Sequence, residues 1–184
     1  MRILFIISIF ISSFGYSQTE AQAKIKWITV AQLDSIYTAQ GSDSLDRKVF
    51  IDFYTDWCGW CKKMDAETFM ADWVAKYMNG KYYAVKFNAE QEKPVKLGGK
   101  EYVFVPNGRR GYNTFASEIL DGKLSYPSFA LLENTLKPVQ IIPGYQDAAN
   151  FIRIVTYFGG NFHKKMPWEL YNENWNTFYE VFAQ

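Results

Sequence analysis

Residues 49–61 restrict what this chain can fold into more than any other stretch. A run of β-branched and aromatic residues, Val49-Phe50-Ile51-Asp52-Phe53-Tyr54, is followed almost at once by Cys58-Gly59-Trp60-Cys61. Such a near-continuous apolar run has the make-up of a central strand covered on both faces, and Asp52 is the anomaly within it. Beyond Cys61, Met64, Thr68, Ala71, Ala75 and Met78 recur at spacings of four and three, beside Phe69, Trp73 and Tyr77. That stripe predicts one amphipathic helix, with Gly80 as its stop. A second strand, Tyr82 to Phe87, completes a strand–helix–strand unit of the right-handed parallel kind. Cys58 therefore falls where the first strand turns into the helix.

The flanking segments fit a sheet with helices on it. Trp27-Ile28 can open a strand, and Thr29 can cap a helix carrying Val30, Leu33, Ile36 and Tyr37. Gly41 to Arg47 reads as a polar loop. Between Asn88 and Ser125 the pattern changes. Val95-Lys96-Leu97, Gly98-Gly99 and Tyr102 to Val105 suggest one hairpin, 107–111 a loop, and Tyr112, Phe115, Ala116, Ile119 and Leu120 a short helix ended by Gly122. Ser128 to Leu132 and Val139 to Ile142 are then expected as antiparallel neighbours, followed by a helix through Phe151, Ile154, Val155 and Phe158 closed by Gly159-Gly160. After Pro167, Trp168, Tyr171, Trp175, Phe178, Tyr179 and Phe182 form an aromatic stripe of helical period. It reads as a helix docked on the domain, with a partner-docking surface as the alternative.

The N-terminus carries Arg2, the apolar run Ile3 to Ile11, and then the small or polar residues Ser12, Ser13, Gly15 and Ser17. This is the layout of a secretory signal peptide cleaved after Ser17. The run is shorter than the roughly 20 residues that span a bilayer, so no stable membrane span is expected in the mature chain. Without Arg2, 19 basic and 19 acidic residues remain. A balance near zero points away from nucleic acid and acidic lipid as partners.

Cys58 and Cys61 are the only cysteines, so this is not a disulfide-scaffold protein. The pair serves redox chemistry or a metal. A dithiol exchanger needs one thiolate to attack and a second thiol close by to resolve the mixed disulfide. C-x-x-C at a helix start supplies both, because the first cysteine meets the unpaired N–H groups and the positive end of the helix dipole. Cys58 is thus the candidate nucleophile and Cys61 the shielded resolving thiol, with Lys62 and Lys63 as nearby charges. A zinc site would need two more ligands, and the single histidine, His163, lies far along the chain. No metal is expected. A purely structural disulfide closing so short a loop would add little stability.

The segment from Phe50 to Lys62, with an acid six residues before the first cysteine, resembles the active-site strand and helix start of thioredoxins. Its continuation, Lys63-Met64-Asp65-Ala66-Glu67-Thr68-Phe69, is more similar to exported thioredoxin-like proteins related to the thiol domain of the periplasmic disulfide-interchange reductase. The resemblance implies that Asp52 exchanges a proton with Cys61, and a desolvated acid with a raised pKa suits that task. It places Lys86 beside that acid, although the residues alone leave open that Asp52 is simply satisfied by Lys86 or by local hydrogen bonds. It makes Pro127 the family's cis-proline opposite the cysteines, with Tyr126 offering its backbone to an extended substrate. Trp57, Gly59 and Trp60 would border the same groove. Gly144 matches a glycine near the end of the last strand, read as a point of close backbone approach. Trp60 departs from the pattern, standing where thioredoxin has proline, so thioredoxin's strongly reducing character does not carry over.

The expected architecture is an α/β thioredoxin-like fold: a central mixed sheet flanked by helices, with an insertion before the cis-proline strand and a C-terminal aromatic helix. The expected organisation is a signal peptide over 1–17, the domain over 18–159 with its insertion at 89–125, and an aromatic extension over 160–184. The implied activity is exchange of disulfides with protein substrates in the periplasm or outside the cell. No dissolved cofactor is implied, and a membrane electron donor would re-reduce the pair. The competing reading is a redox-silent binding or chaperone-like module on the same scaffold.

Overall fold

The computed structural model describes residues 22–177, so the expected signal peptide and Phe178, Tyr179 and Phe182 lie outside the described residues. Its centre is a five-stranded mixed sheet. The strands are β1 (Trp27–Ile28), β2 (Lys48–Tyr54), β3 (Tyr82–Asn88), β8 (Ser128–Leu132) and β9 (Pro138–Pro143). They lie in the order β1-β3-β2-β8-β9, with β1, β3 and β2 parallel and β8 antiparallel to both its neighbours. Strand β2 is central, as its apolar run requires.

Alternation along β2 sends its side chains into two cores. Val49, Ile51 and Phe53 join Val85 and Phe87 on one face, covered by α1 (Val30–Ala39) and α4 (Thr114–Ile119). Phe50 points to the other face, where α2 (Gly59–Glu67), α3 (Asp72–Lys81) and α5 (Ala148–Gly159) supply Met64, Met78 and Phe151. There Phe50 meets Phe69, Phe129, Phe151 and Trp27 at centroid distances of 5.2–6.2 Å. Local chemistry sets the helix starts. Thr29 and Gln32 form a reciprocal capping box at α1, and Asp147 caps α5 through the Asn150 N–H.

Two expectations are corrected. The single helix after Cys61 is two helices, because the Thr68 and Phe69 N–H groups both turn to the Met64 carbonyl and Ala71 is extended. The Thr68 hydroxyl donates to the Gln146 carbonyl at 2.6 Å, which anchors the break. Helix α3 runs past Gly80 to Lys81. The insertion, in turn, holds two hairpins, not one. Strands β4 (Val95–Leu97) and β5 (Lys100–Tyr102) turn through Gly98 and Gly99, both at positive φ. Strands β6 (Phe104–Asn107) and β7 (Arg110–Asn113) turn through Gly108, also at positive φ, and Arg109. Gly111 is required in β7, since a Cβ there would stand 2.1 Å from the Phe104 ring.

After α5 a 3-10 turn (Phe162–Lys164) leads to α6 (Trp168–Glu173), which docks on the domain. Tyr171 is fully buried, its hydroxyl 2.7 Å from that of Thr156, and its ring packs on Tyr157 and Phe162. At the end of the sheet away from the cysteines, Glu133 is bound by Lys48 and by Lys164, the latter at 2.8 Å. Burial alone would raise its pKa, but the hydrogen bonds from Lys164 and Lys48 hold it down to about 2. Deleting the Tyr171 ring (Tyr171→Ala) should destabilise the fold by about 3–5 kcal/mol, whereas Tyr171→Phe should lose about 1 kcal/mol, measured by urea unfolding.

Candidate active site

The cysteines sit at the junction of β2 and α2. Strand β2 ends at Tyr54, the Cys58 N–H bonds back to the Thr55 carbonyl at 3.1 Å, and Cys58 is itself the N-cap of α2. Its sulfur accepts the Cys61 N–H at 3.0 Å and is joined to Cys61 by a disulfide. Both are 4 % exposed in this form, so the candidate nucleophile Cys58 is as covered as Cys61. In the disulfide its sulfur is bonded back onto the first helical turn. On reduction that sulfur is left against an N–H donor at the positive end of α2, a setting that favours the thiolate.

Asp52 lies on the face of β2 that carries Phe50 and is 2 % exposed. Its partner is set by register: Asp52 is directly opposite Lys86 on β3, and the ammonium stands 3.2 Å from Oδ2. Burial pushes the Asp52 carboxyl up to about 6, and Lys86 only partly offsets it. The same ammonium is bound by Asp65 of α2, a residue that sequence reasoning passed over. It also lies 5.1–5.5 Å from the Trp27, Tyr54 and Phe69 ring centres. One cation thus links a buried acid to a partly exposed one.

The Tyr126-Pro127 bond is cis. Among the described residues the Tyr126 backbone N–H and C=O have no hydrogen-bond partner, while the Pro127 carbonyl accepts the Gly144 N–H at 2.8 Å. Gly144 is needed for its φ of 86° and not for close approach, since a Cβ there would meet open space. The Trp57 and Tyr126 rings meet edge-on at 6.2 Å, and Trp60 lies 5.5 Å from Tyr145. Trp57 and Trp60 are 52 % and 58 % exposed, and Gly59 between them opens α2 beside empty space. The cysteines are therefore framed by two aromatic pairs. Lys63 stands 5.3 Å from both the Trp60 and Tyr145 rings and 3.9 Å from Glu67, while the Tyr145 hydroxyl donates to Glu67.

Sequence reasoning also missed Glu90 and Arg110, which hold Trp57. Its indole N–H donates to both Glu90 oxygens at 3.0 Å, and the Arg110 guanidinium lies 4.2 Å over its ring. His163 is remote, at the Glu133 end of the sheet.

The raised pKa of Asp52 makes a stability prediction with a definite sign. The folded state holds this proton more tightly than the unfolded chain, whose carboxyl titrates near 3.8. Ionising it therefore destabilises the fold progressively as pH rises from about 4 to about 6, and the full cost remains above that. Asp52→Asn should raise the unfolding free energy by about 3 kcal/mol at pH 8 and by close to nothing at pH 3.5, in urea titrations at both values.

Comparison with known proteins agrees with this geometry. A thioredoxin-fold protein from Helicobacter pylori is 16 % identical and superposes with a TM-score of 0.52, covering 66 % of this chain and 74 % of that one. A thioredoxin from Thermus thermophilus is 13 % identical, with a TM-score of 0.50 over 75 % of this chain and 88 % of its own. At such identities the likeness shows the fold. No curated protein matches the sequence. The thioredoxin-like domain family matches residues 39–159, the stretch that holds β2, the cysteines and the cis-proline, and the chain belongs to that family.

Proposed function

We propose that this protein is an exported thiol-disulfide oxidoreductase that acts on protein clients through Cys58 and Cys61, in the reductive or isomerising direction. The observation that carries the reading is Cys58 as the N-cap of α2, disulfide-bonded to a cysteine one turn in. Export rests on the N-terminal apolar run, and direction on the resemblance to the reductive branch.

In the reducing half-cycle the Cys58 thiolate attacks one sulfur of a client disulfide. A mixed disulfide forms, and the other client sulfur leaves as a thiolate. Cys61 then gives up its proton and attacks the Cys58 sulfur. The Cys58–Cys61 disulfide forms and the second client thiol leaves, so the client gains the two electrons the dithiol loses. Asp52 is the group assigned to take the Cys61 proton, since a carboxyl titrating at about 6 is mostly ionised at neutral pH and still basic enough to accept one. Lys86 pairs with the Asp52 carboxylate, and Asp65 connects that pair to solvent. Tyr126 offers its unpaired backbone N–H and C=O to an extended client segment. An outside dithiol, in the cell a membrane electron donor, must return the pair to the reduced form.

With dithiothreitol as electron source, the protein should reduce insulin faster than dithiothreitol alone, and Cys58→Ser should fall to background. Cys61→Ser should accumulate a mixed disulfide through Cys58 that carries identifiable client proteins. No insulin turnover, together with an unperturbed Cys58 thiol titration, would favour the redox-silent binding module instead.

A further inference from the structure

The second inserted hairpin reaches the rim of the site. Arg110, in β7, stacks its guanidinium on Trp57, the residue immediately before Cys58, and stands 3.8 Å from Glu90. Its side chain remains 54 % exposed. One face is taken by the indole and one edge by a long contact to Glu90, whose carboxylate is already bound by the Trp57 N–H. A guanidinium has five N–H donors, so others remain open to solvent. Stacking holds the planar group in place, which prepares it for paired hydrogen bonds to a carboxylate. Arg109, exposed at the tip of the same turn, adds a second positive charge.

Trp57 also faces Tyr126, whose backbone is free to receive an extended segment. Such a segment advances about 3.3 Å per residue, so a client residue one or two places from the attacked cysteine would pass over Trp57 and reach Arg110. The opposite wall offers less. Lys63 there is drawn to Glu67 and lies between two rings.

We propose that Arg110 determines client specificity: it receives the carboxylate of an aspartate or glutamate lying within two positions of the client cysteine that Cys58 attacks. The proposal rests on the oxidoreductase reading above. It is tested with three peptides, each closed by one internal disulfide and differing only in carrying Glu, Gln or Lys beside the target cysteine. Their kcat/KM is measured at low salt with dithiothreitol as electron donor. The protein should prefer Glu over Gln by about fivefold, the upper range for an exposed ion pair, and Lys should be poorest. High salt should shrink the preference. Arg110→Gln should abolish it, Arg110→Glu should favour the Lys peptide, and Lys96→Gln, on the other hairpin, should change nothing. Equal turnover of all three peptides, or a Glu preference that survives in Arg110→Glu, would overturn the proposal. Turnover of none would overturn the oxidoreductase reading and this inference with it.

Discussion

A carboxylate buried beneath an aromatic sheet face is the feature around which the active end of this protein is arranged. Asp52 takes its place in β2 by strand alternation, two residues from Phe50 and on the same face. Removing it from water disfavours its charged form, and among the described residues only Lys86, directly opposite in register, compensates. Lys86 in turn is enclosed by Trp27, Tyr54 and Phe69 and bound by Asp65, so α2 is tied to the sheet one turn after Cys61. Buried ion pairs are poor sources of stability compared with apolar residues of similar size. What the arrangement supplies is a desolvated carboxyl held up to about 6 in the strand that leads to the cysteines.

The two additions to the domain differ in where they attach. The first inserted hairpin packs Leu97 and Tyr102 into the core on one face of the sheet, and the second lays Arg110 on Trp57. The tail packs along α5 instead, burying Tyr171 and Trp175 and pairing Lys164 with Glu133. In its described part it extends the core beside Phe151 and Val155. The two tryptophans that flank the cysteines are thus met by the second hairpin and by the loops that carry Tyr126 and Tyr145.

Much of this architecture was legible in the chain. Residues 49–54, 82–87 and 128–132 announce themselves as buried strands because β-branched and aromatic side chains suit a surface covered on both sides. Thr29 announces a helix start, because its cap involves only Gln32, three residues on. The break between α2 and α3 left no such mark: the apolar spacing runs straight through it, and the anchor is a carbonyl 78 residues away. Asp65 looked like an ordinary solvated helix residue, and its role depends on Lys86 arriving from β3. A hint was present in its place one turn after Cys61, on the side that faces the sheet beside Met64.

What the sequence by itself determined is the local chemistry: a strand that must be buried, an acid inside it, and two cysteines at the start of a helix. These follow from side-chain shape and short-range spacing, which act between residues already adjacent along the chain. What only the tertiary structure decided is which distant groups surround that chemistry. Lys86 meets Asp52 through strand register, Tyr126 reaches Trp57 across the sheet, and Glu90 and Arg110 fix the indole from 33 and 53 residues away. Such meetings depend on packing both sheet faces at once, a constraint that no single window of sequence contains.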